Sequence, residues 1–98
     1  MSYVVYVRHC LRPGAAGEFD EVFGLHRELV SKRDGFIALR RFVPAAAGHE
    51  NEIVVLGEFQ TEEQLRSWRA SEQHALIAEK YRSLWARDPV TEFFNTSE

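Results

Sequence analysis

Trp68, Ser71 and His74 stand three residues apart in one stretch, W-x-x-S-x-x-H, and their types could do chemistry together. An indole offers a flat apolar wall, and an imidazole of ordinary pKa near 6.5 exchanges protons near neutral pH. On a continuous helix His74 would lie about 600° around from Trp68, well off the same stripe. A break at Ser71 changes this, because Ser71 can cap a second helical segment and Glu72 suits its positive N-terminal end. The two rings then meet. Such a pair would hold a flat aromatic ligand against Trp68, and His74 would take a proton from a phenol or an activated carbon acid. The plain alternative makes Trp68 a core residue and His74 a capping or solvent-facing one.

Other polar residues in extended stretches add to the candidate site. Arg40 and Arg41 in mid-strand point to opposite faces, so one enters a covered side and needs an acidic partner or an anionic ligand. Glu58 on the neighbouring strand is the simplest partner. Tyr6 and His9 on the first strand join the two arginines and Trp68 as candidate substrate-binding residues. His9 and His26 each fall on an apolar stripe, where a hydrogen-bonded core histidine is the simplest reading, and His49 falls in a loop. No two histidines have the short helical spacing of a metal pair, and Cys10 is the lone cysteine, so neither a metal nor a cofactor is expected.

The elements that position these residues follow from hydrophobic period and punctuation. Tyr3 to Cys10 is β-branched and aromatic and stops at Arg12-Pro13-Gly14, a first strand. From Glu18 to about Lys32, Phe19, Val22, Phe23, His26, Leu29 and Val30 share one helical stripe, and Gly35 can supply the left-handed end. Phe36 to Val43 is a second strand, Ala45 to Asn51 a loop, and Glu52 to Phe59 a third strand. Thr61 and Gln64, at capping-box spacing, open the helical stretch that runs to Trp85. Pro89 to Asn95 is a fourth strand, after which the tail frays. The order β-α-β-β-α-β is the ferredoxin-like arrangement, an α+β fold with a four-stranded antiparallel sheet and both helices on one face.

Two helices cover one side of such a sheet. The other carries apolar residues from the sets Val4 and Tyr6, Ile37 and Leu39, and Val54 and Leu56, or their alternates, too large an area for a soluble monomer to leave wet. A homodimer through the sheet faces would bury on the order of 1,000 Å² or more.

The totals agree. The 98 residues make one domain, residues 1–98, with 45% hydrophobic and 28% charged residues and a net charge of -3. That charge repels a nucleic-acid backbone, so no nucleic-acid partner is expected. No apolar run approaches the roughly 20 residues a membrane span requires. The N-terminus opens directly as a strand and the single cysteine fits a reducing compartment, so the expected chain is cytoplasmic, unprocessed and independent of a membrane.

Asp34-Gly35-Phe36, a strand ending in Gly57-Glu58-Phe59, then Thr61-Glu62-Glu63 and Trp68-Arg69-Ala70-Ser71-Glu72-Gln73-His74 together resemble the antibiotic biosynthesis monooxygenase superfamily of dimeric α+β barrels. The likeness runs from the first strand to the end of the fourth. It implies a pocket between sheet and helices and a dimer formed through the sheets. Members include enzymes that oxygenate quinols or polyketide phenols without metal or flavin, and haem-degrading enzymes. The haem-degrading branch carries an asparagine on the first strand, a tryptophan on the second helix and a haem-ligating histidine about ten residues later. Here the first strand has no asparagine and the tenth position after Trp68 is Ala78, so the resemblance favours the cofactor-independent branch. That branch implies a monooxygenase that binds a small aromatic substrate (a quinol, phenol or polyketide-like ring) on Trp68, deprotonates it with His74 and steadies the anion with Arg40 or Arg41. The competing class is a non-enzymatic ligand binder or structural dimer, because this scaffold hosts unrelated activities.

Overall fold

Tyr3–Leu11 forms strand β1, which with β3 (Glu52–Phe59) occupies the middle of the sheet, while β2 (Phe36–Phe42) and β4 (Trp85–Asn95) form its edges in the order β2-β3-β1-β4. This computed structural model describes residues 1–97. All three strand pairings are antiparallel. Helices α1 (Ala16–Val30), α2 (Glu62–Arg69) and α3 (Glu72–Arg82) complete the expected α+β, ferredoxin-like β-α-β-β-α-β order, the second helical stretch being divided in two.

Alternation assigns each strand residue to a face. Tyr3, Val5, Val7 and Leu11 on β1 and Ile53, Val55 and Phe59 on β3 pack under the helices, against Phe19, Phe23 and Val30 of α1, Leu65 and Trp68 of α2, and Ile77 and Tyr81 of α3. Phe19, Phe59, Leu65, Ile77 and Leu84 are the most completely buried of the large side chains. Val4, Tyr6, Val54 and Leu56 share the opposite face, as the register pairs Tyr6 with Leu56 and Arg8 with Val54. On β2 an irregularity between Phe36 and Ala38 sets the phase. Leu39 is thereby buried under the helices, Arg40 and Phe42 sit on the open face, and Ile37 is exposed.

Local chemistry moves several boundaries. α1 stops at Val30 with Ser31 as its cap, short of Lys32. Gly35 does take a left-handed φ of 80°, but it turns the chain into β2 instead of capping the helix, and its carbonyl accepts from the Gln60 amide at 2.9 Å. α3 ends at Arg82, so Trp85 lies on β4 and not on a helix. The strand begins early because the Arg12 amide donates to the Leu84 carbonyl at 2.8 Å and Leu11 pairs with Trp85. The tail is tied down: the Thr96 amide donates to Ser2 O at 3.0 Å and the Ser2 amide to Thr96 Oγ1 at 2.8 Å. The expected fraying at Glu98 lies outside the described residues. No helix among the described residues is long and apolar enough to cross a membrane.

A Cβ at Gly35 would overlap the Gln64 side-chain amide, the group that closes the cap of α2. Gly35→Ala therefore combines left-handed strain with loss of half a capping box, and about 2 kcal/mol of stability is expected to go. Urea denaturation measures it; a midpoint equal to wild type would contradict this coupling.

Candidate active site

Thr61 Oγ1 accepts from the Gln64 amide and Gln64 Oε1 from the Thr61 amide, both at 3.2 Å. This capping box fixes where α2 starts and so which way Trp68 faces two turns later. Ser71 then breaks the helix. Its backbone is extended, its hydroxyl donates to the Trp68 carbonyl at 2.6 Å, and the same oxygen accepts from the His74 amide at 3.1 Å. One hydroxyl thus ties the last turn of α2 to the first of α3, and the indole and imidazole meet edge to face with centroids 5.4 Å apart and planes at 88°.

Four further rings close around this pair. His26 of α1 stacks on Trp68 at 5.9 Å with planes 14° apart, and its Nδ1 lies 2.8 Å from the Tyr81 hydroxyl. His9, only 3% exposed, tilts against Tyr81 at 4.7 Å. Its Nδ1 accepts a hydrogen bond from the Trp85 indole Nε1–H at 2.9 Å. An indole nitrogen can only donate, so neutral His9 must carry its proton on Nε2. Among the described residues no buried side-chain nitrogen or oxygen lacks a partner. The Nε2–H of His9 has no hydrogen-bond acceptor among the described residues and belongs to a ring that lines the cavity.

That cavity measures about 150 Å³ and lies between the sheet and α1, α2 and α3. Val5, Val7, Val55, Phe59 and Ile77 supply apolar wall, and Trp68, Trp85, Tyr81, His9, His26 and His74 supply the rings. Burial holds the imidazoles neutral. It takes His9 down to about 4. It takes His26 to about 3, aided by the charges of His74, His9 and Arg27. Burial first and the Arg69 guanidinium second bring His74 to about 4. The Tyr81 hydroxyl is pushed up from 10.0 by burial and stays protonated. At neutral pH the cavity thus offers hydrogen-bond acceptors and donors without imidazolium charge. Among the described residues no group of three or more His, Cys, Asp or Glu side chains is arranged to hold a metal ion.

The structure brings Trp68, His74 and His9 to one cavity and places Arg40, Arg41 and Tyr6 elsewhere. Arg40 lies on the open face with its guanidinium 5.3 Å from the Phe42 ring centre. Tyr6 is on that face too, edge-on to Phe94 at 5.4 Å. Arg41 turns toward the helices but is taken up by Asp20 of α1 and the Phe23 ring. Glu58 cannot serve it, because Glu58 pairs in register with Val4 on the opposite face, where it accepts from the Ser2 hydroxyl. His26, Arg69, Tyr81 and Trp85 line the cavity without being expected there from sequence. His26 had the signal of a polar residue on an apolar helical stripe. Arg69 sits beside Trp68 in sequence. Trp85 was hidden by its assignment to the helix.

Comparison with known proteins follows the same lines. The family model described as antibiotic biosynthesis monooxygenase matches residues 2–80. No curated protein matches the sequence. Among solved structures, a conserved protein of Methanosarcina mazei is similar with a TM-score of 0.88 at 14% identity, over 99% of this chain and 94% of that one. A mutant form of SnoaB of Streptomyces nogalater, named a cofactor-independent oxygenase, superposes with a TM-score of 0.82 at 18% identity, over 99% and 94% of the two chains. A dimeric ferredoxin-like protein of unknown function from Thermobifida fusca gives 0.80 at 14% identity, over 98% and 92%. At these identities the structural likeness establishes the fold, and the family model adds membership: the chain belongs to the antibiotic biosynthesis monooxygenase family.

Proposed function

We propose that this protein is a cofactor-independent monooxygenase that binds a phenol or quinol in the cavity beneath α2 and lets it react directly with dioxygen. The observation that carries this reading is the convergence of a stacked indole and three neutral imidazoles on one largely apolar cavity. Trp68 gives the substrate ring a flat surface. His74, uncharged, accepts the phenolic proton. The fixed Nε2–H of His9 donates to the oxyanion as it forms, taking the role that the family resemblance would give to Arg40 or Arg41, and a donor held in place in a dry site is worth more than the same donor in water.

The phenolate passes one electron to dioxygen, and the radical pair joins at the ring carbon para to the oxygen. Loss of water from the resulting peroxide leaves a quinone. For a phenol with a free para carbon the balance is one phenol and one dioxygen giving one quinone and one water. Apolar walls keep bulk water from the radical pair. SnoaB, named a cofactor-independent oxygenase, has the same fold, which supports this reading by analogy.

The test is oxygen uptake with simple phenols and hydroquinones after chelator treatment and gel filtration. Enzyme-dependent uptake above autoxidation is expected, and for phenols with a free para carbon one atom of labelled dioxygen in the product and one in water. Uptake no faster than the uncatalysed rate would end the proposal.

The open face is proposed to seat a second copy. Val4, Tyr6, Val54, Leu56 and Phe42 lie there, together with Val90 and Phe94, the last two at 57% and 46% exposure. The Thermobifida fusca protein of this fold is named as dimeric. Leu56→Asp would bury an unpaired carboxylate in that interface. Sedimentation is expected to show a dimer for wild type and a monomer for the variant at micromolar concentration, and a wild-type monomer would refute the pairing.

A further inference from the structure

The cavity's charge and size narrow what it takes. Among the described residues lining it, Arg69 is the single formally charged one and none is a carboxylate. None of the ion pairs among the described residues involves Arg69. Its guanidinium lies 5.3 Å from the Phe93 ring centre, on the side where Arg69 and Phe93 also line an adjoining surface cleft, a contact that orients the plane without neutralising it. Burial has stripped part of its water, which lowers its pKa from the ordinary arginine value, so a positive charge is held at the site with no carboxylate beside it among the described residues. Of the other arginines, Arg8, Arg41, Arg66 and Arg82 are each taken up by a carboxylate, and none of those four lines the cavity. A guanidinium is built to take a carboxylate through two parallel hydrogen bonds.

Size adds the second constraint. About 150 Å³ is the cavity volume that accepts one benzene ring, whereas two or more fused rings would have to push side chains aside. We infer that the cavity of this chain is selective for a single aromatic ring carrying both a hydroxyl and a carboxylate, the carboxylate paired with Arg69 and the ring against Trp68. This rests on the aromatic-pocket reading above and adds the class of molecule.

Both tryptophans of the chain line the cavity, so intrinsic fluorescence reports occupancy directly. Wild type, Arg69→Gln and Arg69→Lys are titrated with 4-hydroxybenzoate, phenol, 4-hydroxybenzylamine and 1,4-dihydroxynaphthalene, and circular dichroism checks that each variant is folded. The expected result is 4-hydroxybenzoate binding at least tenfold tighter than phenol, with the amine and the two-ring compound weakest. The preference falls to near unity in Arg69→Gln and is partly kept in Arg69→Lys, and it weakens with added salt.

Equal affinity for benzoate and phenol in wild type would overturn the inference, as would a preference that survives in Arg69→Gln or a failure of every ring to quench. The two readings separate cleanly. Benzoate binding with no oxygen uptake from any phenol sinks the oxygenase proposal and keeps the ligand class. Turnover of neutral phenols with no benzoate preference does the reverse.

Discussion

His74→Ala is expected to lower the turnover of a phenolic substrate by about 10²- to 10⁴-fold, the range over which a positioned acid or base contributes, with KM changed far less. The substitution is clean because the bond that starts α3 uses the backbone amide of His74 and the hydroxyl of Ser71. Removing the imidazole therefore leaves the helix break, and the position of Trp68, intact. An imidazole brought to about 4 by its surroundings is a weak base, and the second cause of that weakness, the Arg69 charge, also says how it is relieved. A substrate carboxylate on Arg69 removes that charge on binding. The oxyanion formed when the phenolic proton moves then sits beside the imidazolium, so the proton affinity of His74 rises as the substrate becomes an anion. The rate should stay flat as pH falls from 8 toward 5, because His74 remains neutral over that range, and below 5 acid unfolding takes it down. Oxygen-electrode rates for wild type, His74→Ala and His74→Gln across this range measure it. A variant retaining more than a third of wild-type turnover would remove His74 from the chemistry and leave the proton to His26 or solvent.

How much of this was readable beforehand depends on the range of the interactions involved. The capping box at Thr61 and Gln64 and the break at Ser71 are rules of three or four residues, and the structure shows each where the sequence placed it. The stripe of α1 is equally local, and the β-α-β-β-α-β order follows from period and punctuation. Which face of β2 meets the helices is not local. Alternation separates Arg40 from Arg41, but the irregularity between Phe36 and Ala38 decides which one turns inward, and nothing in FIALRRF announces it. Trp85 shows the same limit. WARDP has no period of its own, and only pairing with Leu11 across the sheet makes it a strand that delivers an indole to His9. The meeting of His26 with Tyr81, 55 positions apart, exists only once α1 and α3 pack together. Trp68 and His74 were visible because one helix break joins them, whereas the partners that tune the site arrive through the tertiary fold.

Acid should begin to destabilise this protein well above the range in which its carboxylates titrate, and the same three histidines set the window. In the unfolded chain each has a pKa near 6.5; in the folded chain His9 and His74 are at about 4 and His26 at about 3. Between pH 6.5 and 4 the unfolded state binds more protons than the native state, so stability, full above 6.5, is lost as pH falls toward the native values. At its steepest, His9 and His26 together remove about 3 kcal/mol per pH unit, with His74, more open to solvent, adding less. Against a total of about 5–15 kcal/mol for a domain, the native state should be lost between about pH 5 and 4. The lowered carboxylates Glu50 and Glu52 act in the same direction but only below their ordinary 4.5, so they do not confuse the upper part of the window. His26→Gln keeps a side chain able to bond Tyr81 and removes one titrating group, so its stability should fall less steeply with acid, by about one proton. Urea midpoints at half-unit steps from pH 7.5 to 4.5 give both slopes. A wild-type midpoint that stays level from 6.5 to 5 would mean that these imidazoles are charged or wet in the native protein, and the neutral cavity on which the oxygenase chemistry depends would not exist.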